Sequence, residues 1–178
     1  SSFLKSDGTR IKERNAMELN RSVTGIALKR DEAKLTIVGV PDIPGVAGNL
    51  FSRLGKSNVN IDMIIQSNEE KNETNTITFT VSEDDYVEAK KVTEAVALEL
   101  GAKRVDGDTN IAKVSVVGVG MISKPGVAAS MFSTLGEHKI NIQLITTSEI
   151  KISCAVHSDQ ADAAVQALHD AFELHSAE

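Results

Sequence analysis

Asp42 stands two residues ahead of Pro44-Gly45, and the apolar residues Val46, Ala47, Leu50, Phe51 and Leu54 then recur at helical spacing. A strand that ends in a turn at a helix start leaves several backbone N–H groups without helical acceptors. Their partial positive charge suits a small anion such as a carboxylate. Gly45 lets a ligand approach the backbone, and proline removes no donor that the first helical turn needs. The Asp42 carboxylate, in the same loop, can accept an ammonium group. Together these groups can grip both ends of a zwitterion, the charge pattern of a free amino acid. A simpler reading exists, because an aspartate before a helix is commonly a cap worth about 1 kcal/mol, and Pro-Gly is a common turn.

The loop occurs twice. Pro44 to Ser67 reads PGVAGNLFSRLGKSNVNIDMIIQS and Pro125 to Ser148 reads PGVAASMFSTLGEHKINIQLITTS, 81 positions on, with about half of the aligned residues identical. So long a period indicates duplicated domains, not the short units of a solenoid. The echo begins earlier, at Val38-Gly39-Val40 and Val117-Gly118-Val119, with two extra residues in the second copy. Gly126 repeats Gly45, but Met121-Ile122-Ser123-Lys124 stands where the acid was. The fold therefore does not require Asp42, and Ser123 can cap the second helix instead.

Composition removes several other functions. With 41% hydrophobic and 25% charged residues, the 178-residue chain has the balance of a soluble globular protein and can bury one medium core or two small ones. No apolar run approaches the roughly 20 residues that span a bilayer, and the polar start is not a secretory signal. A cytoplasmic location is expected, with the single cysteine, Cys154, reduced and in or near the core. The Asn-Glu-Thr sequence at Asn72 carries no weight in that compartment. A net charge of −6 opposes a nucleic-acid partner, and Lys5, Arg10, Lys12 and Arg14 read as a solvated tail.

The elements that position the loops follow from periodicity. Ser22 to Lys29 reads as a short strand stopping at the turn-like Arg30-Asp31-Glu32. Leu35 to Val40 is a buried strand, followed by the helix from Val46 with Gly55 as its stop, then the strand Ile61 to Gln66. Ile77, Phe79 and Val81 alternate with polar residues as a half-buried strand, and Asp84-Asp85 opens a helix with Ala89, Val92 and Val96 inward and Gly101 at its end. Lys103 to Val105 begins a last strand. The second copy repeats the order with strand Val114 to Val119, helix Val127 to Leu135, strands Ile142 to Thr147 and Ile150 to His157, and helix Ala161 to Phe172. It lacks its fourth strand, which the early strand can supply if Val23, Ile26 and Leu28 pair along Val114 to Val119. The fold class is α+β, two ferredoxin-like βαββαβ domains, the first (33–109) inserted into the second (22–32 plus 110–178), after a polar tail over 1–21. Apolar edge strands starting at Asn60-Ile61-Asp62 and Asn141-Ile142-Gln143 invite edge-to-edge pairing into continuous sheets, within the chain or with a twofold mate.

The segments EAKLTIVGVPDIPGVAG, VNIDMIIQS, ITFTV, AKVSVVGVGMISKPGVAASMF and INIQLITTSEIKIS resemble the ACT domain family, specifically the paired ACT domains in the regulatory part of aspartate kinase, over Ser22 to about Phe172. The resemblance implies feedback inhibition by threonine, lysine or both. It implies a threonine-type pocket of Asp42, Ile43, Gly45, Val46, Ala47 and Gln66, with Asn141 and Ile142 from the facing domain. It implies a lysine-type pocket of Met121, Ser123, Gly126, Val127 and Ala128 with Asn60, Ile61, Asp62, Ser148 and Glu149, where Asp62 or Glu149 would answer the ligand's side-chain ammonium. Ala128 stands where a hydroxyl residue is frequent in relatives, and Lys124 adds like charge nearby. It also implies a homodimer, an internal start near Met17, and a tail from the kinase half before it. ATP and magnesium are expected only in that half.

No chemistry of the chain's own is expected. Gly55-Lys56-Ser57 resembles a P-loop, but Leu50 replaces the first glycine and the triplet ends a helix. Gly118-Val119-Gly120 lacks a third glycine, with Ser123 in its place. His138, His157, His169, His175 and Cys154 have no metal-ligand spacing, and no nucleophile–base pair is suggested. An RNA-recognition module shares the strand order but stacks bases on aromatics of its central strands, where only Phe79 is available. A dimerisation module without an effector is the remaining alternative.

Overall fold

The computed structural model describes residues 22–69 and 73–174. The basic residues Lys5 to Arg14, Met17, Asn72 and His175 lie outside the described residues. The chain runs β1 (Gly25–Pro41), α1 (Val46–Lys56), β2 (Ile61–Glu69), β3 (Thr74–Ser82), α2 (Tyr86–Leu100), β4 (Arg104–Val117), α3 (Val127–Glu137), β5 (Ile142–Thr147), β6 (Lys151–His157) and α4 (Ala161–Ala171), with short 3-10 turns at Val119–Ile122 and Ser158–Gln160.

Six strands form one antiparallel sheet in the order β2-β3-β1-β4-β6-β5. Its continuity comes from the middle, because β1 and β4 each run through both repeats. The later half of β1 pairs with the start of β4 in the first repeat, and Ile26 opposite Val116 and Leu28 opposite Val114 supply the fourth strand of the second. This is the pairing that the strand count required. Val23 is buried in the second core just ahead of it.

Several boundaries differ from the sequence reading. Arg30-Asp31-Glu32 is not a turn: the strand continues through it, with irregularities between Lys29 and Lys34. β4 ends at Val117, not Val119, because the two extra residues of the second copy open a 3-10 turn. Gly55 does not stop α1. The helix runs to Lys56, and Asn58 takes the left-handed φ of 61°, as Lys139 does at 58° after α3.

Alternation sends one face of each half-sheet against helices. Leu35, Ile37, Ile77 and Phe79 meet Leu50 and Leu54 of α1 and Ala89 and Val96 of α2, while Val114, Val116, Cys154 and Val156 meet Met131 and Leu135 of α3 and Ala164 and Leu168 of α4. Phe79 is fully buried, edge-on to Phe51 at 5.5 Å between ring centroids, so it is not exposed for stacking on a base. Burial pushes the Cys154 thiol up to about 12. Iodoacetamide at about pH 8 should therefore leave Cys154 unlabelled in the native chain and label it in concentrated guanidinium. Rapid native labelling would mean that the second core is open.

The other face is polar and repeats itself. Thr36 and Thr78 share a hydrogen bond of 3.0 Å in the first half, and Ser115 and Ser153 share one of 2.8 Å in the second. The sheet curls until its outer strands reach the opposite repeat. Lys34 of β1 donates to Gln143 of β5, and Lys113 of β4 pairs with Asp62 of β2. Asp62 and Gln143 both sit where the edge-strand register slips, between Ile61 and Ile64 and between Ile142 and Leu144. Such bulges re-aim side chains. Glu32 lies beneath this seam, 1% exposed, with Lys29 Nζ at 2.5 Å and Lys113 Nζ at 3.8 Å. Burial lowers the pKa of Lys113 against the pull of Glu32, and Lys29 and Lys151 add repulsion.

Candidate functional site

Both loops have the same backbone. Gly45 has φ 98° and ψ −13°, and Gly126 has φ 100° and ψ −10°, the second corner of a type II turn with proline at the first. Apart from the adjoining backbone and the two flanking residues, no atom of the described residues lies within 4 Å of where a Cβ would stand on either glycine. The first helical bonds run from Asn49 N–H to Gly45 O and from Ser130 N–H to Gly126 O, both 2.9 Å. The N–H groups of Val46, Ala47 and Gly48, and of Val127, Ala128 and Ala129, precede them and have no acceptor within their helices.

Asp42 is not a helix cap. Gly45 holds the position before α1, and no side chain caps it. The Asp42 carboxylate instead receives Asn75 Nδ2 on Oδ1 at 2.8 Å and Asn68 Nδ2 on Oδ2 at 3.2 Å, while its backbone N–H donates to Glu73 O at 3.1 Å. Ser123 does not cap α3 either, since its hydroxyl turns back to Gly120 O at 3.4 Å. Asp42, Ile43 and Gly45 are exposed, Ala47 is half-buried and Val46 is buried. Gln66 is exposed on β2 opposite Ile77, two residues before Asn68 and so on the same face.

In the second repeat the loop borders a cleft of about 410 Å³. Met121, Gly126, Val127 and Ala128 line one wall, with Ile122, Lys124 and Pro125, and Ser148 and Glu149 the other, with Thr147 and Ile152. Ser148 N–H donates to Lys151 O at 2.7 Å, which closes the turn holding Glu149. Ser123 adjoins this wall without lining it, and Asn60, Ile61 and Asp62 do not line it. Asp62 is engaged by Lys113. Ile142 starts β5, just after Asn141 and beside Gln143, which meets Lys34 in the middle of β1, not at the end of β1 where the Asp42 loop begins. Within one chain, each loop is thus assembled with the hairpin of its own repeat. Sequence reasoning missed Asn68 and Asn75, although Asn75 alternates with Ile77, Phe79 and Val81 and so stood at an inward position, an available signal.

Residues 35–96 and 114–172 match the model of the ACT domain. The regulatory subunit of aspartate kinase from Thermus thermophilus, in its ligand-free form, shares 39% identity at a TM-score of 0.80, over 85% of this chain and 99% of that one. The chain belongs to the ACT domain family, in the tandem form of the aspartate kinase regulatory part. A crystal structure of aspartokinase alpha and beta subunits matches this ACT pair with 42% identity and a TM-score of 0.80, over 85% of this chain and 99% of that one. An aspartate kinase of Stutzerimonas stutzeri is 50% identical over 175 residues, which cover 97% of this chain and 42% of that protein. The chain thus spans about two fifths of the length of such curated relatives. Among the described residues of the ACT pair, no helix is long and apolar enough to cross a membrane.

Proposed function

We propose that this ACT pair senses free amino acids and conveys feedback inhibition to aspartate kinase in the cytoplasm, with threonine at the first loop and lysine at the second. The observation that carries the reading is the Asp42 carboxylate, held on both oxygens beside helical N–H groups that lack acceptors. An ammonium acceptor and carboxylate donors stand ready together. In the second cleft Lys124 and Glu149 offer one charge of each sign. In this reading phosphotransfer, ATP and magnesium belong to the kinase half, and the ACT pair acts on it through the ligands it holds.

Asn141, Ile142 and the Asn60–Asp62 segment reach the loops from a second copy. Among the described residues β2 and β5 end the hydrogen-bonded sheet, and they expose Ile64 and Ile145 at equivalent positions. Pairing of these edges makes a homodimer whose seams complete the pockets. Inhibition then follows if effector favours one arrangement of the assembly, since equal affinity for both would shift nothing.

Calorimetric titration with threonine and with lysine tests the proposal. At about 100 times the dissociation constant, an occupied site adds about 2.7 kcal/mol to stability, a melting rise of roughly 5–10 °C for a chain of this size. Absence of heat and of any melting shift with both amino acids would leave a dimerisation module without effector.

A further inference from the structure

Asn75 occupies a core-facing position of β3, in step with Ile77, Phe79 and Val81, and is 5% exposed. An amide placed there is unfavourable unless its polar atoms find partners. Only half of it does so: Nδ2 donates to Asp42 Oδ1 at 2.8 Å, while Oδ1 is buried without a hydrogen-bond partner. Packing gives no reason for an amide at this place. The contact with Asp42 does.

Asn68 stands directly across from Asn75 in the β2–β3 ladder and donates to the other carboxylate oxygen at 3.2 Å. One amide on each oxygen prevents the carboxylate from rotating, and a carboxylate with two acceptors filled keeps about two more for a ligand. The second repeat has no counterpart. Leu35 faces Phe79 and Val114 faces Cys154 in the two ladders, which makes Ile150 the equivalent of Asn75. Met121 and Glu149 replace Asp42 and Asn68.

We infer that Asn68 and Asn75 are positioning residues that fix the Asp42 carboxylate as an ammonium acceptor and so make the first loop selective for a ligand carrying a primary ammonium beside its carboxylate, by a device that the second loop lacks. The inference rests on the proposed reading of the first loop as an amino-acid site.

The test is calorimetry on the full chain with threonine and with 2,3-dihydroxybutanoate, in which hydroxyl replaces the amine. Asn75→Leu should weaken threonine about tenfold, the loss of one charge-assisted alignment, while changing the analogue by less than about twofold. In an Asp42→Asn background, Asn75→Leu should add nothing, because the two residues act as one unit. Equal losses for both ligands, or the same loss with Asp42 already neutralised, would show a structural role and overturn the inference. Asn68→Ala, at an exposed position, provides the same comparison without disturbing the core. If wild type binds neither probe, the amino-acid reading fails with everything built on it. If wild type binds threonine and neither asparagine variant alters that affinity, the positioning role alone is overturned.

Discussion

Gly118→Ala should destabilise the chain by roughly 3 kcal/mol, the upper range for overpacking, and lower its melting temperature by roughly 10 °C. The φ of 177° is extended backbone open to any residue, so conformation is not the obstacle. Space is. A Cβ on Gly118 would lie 2.2 Å from Ser22 O and 2.7 Å from Val23 Cα. Both are backbone atoms, and they cannot swing aside as a side chain would. Relief requires the entry to β1 to move, which breaks the 2.7 Å bond from Thr24 N–H to Val117 O and withdraws Val23 from the second core. The equivalent Gly39 gives an internal comparison, because there the crowding group is the flexible Lys103 side chain at 2.7 Å and the obstacle is a φ of 75°. Gly39→Ala should lose only the left-handed penalty of about 1–2 kcal/mol. A Gly118→Ala chain melting within about 2 °C of wild type would contradict the close docking of the early segment onto the second repeat.

Asp42→Ala should weaken threonine roughly a hundredfold, near 3 kcal/mol, the lower part of the range for truncating one member of a charge pair enclosed on binding. Two side-chain amides, from Asn68 and Asn75, converge on this carboxylate, so its removal takes away an acceptor already in place. The buried Nδ2 of Asn75 also loses its partner, which costs about 1 kcal/mol of stability. Asp42→Asn should separate the two effects, losing most of the affinity while retaining the shape of the loop. Calorimetry and melting on the same samples distinguish them. Threonine affinity within about twofold of wild type in Asp42→Ala would remove Asp42 from the pocket.

The element order, the two cores and the shared Pro-Gly turns are legible because apolar periodicity and a repeat state them locally. Ile26 opposite Val116 was legible too, since one repeat had a strand too few. Arg30 to Glu32 misled for a physical reason. Charged residues usually mark a turn, but here Glu32 is a buried carboxylate between Lys29 and Lys113, and the neighbouring irregularities absorb the extra length. Asp42 does not cap α1, and the partners that hold its carboxylate lie 26 and 33 residues away, beyond any local pattern. The same holds for the Lys113–Asp62 contact. The repeat nonetheless carried a hint of it, since Lys34 and Lys113, and Asp62 and Gln143, occupy equivalent places.

The most direct measurement of the central claim is a crystal structure of the chain grown with saturating threonine. The account predicts an ordered ligand over Gly45, its ammonium within hydrogen-bond distance of the Asp42 carboxylate and its carboxylate on the N–H groups that open α1. An empty first loop under those conditions, or threonine bound with Asp42 still turned only to Asn68 and Asn75, would contradict it.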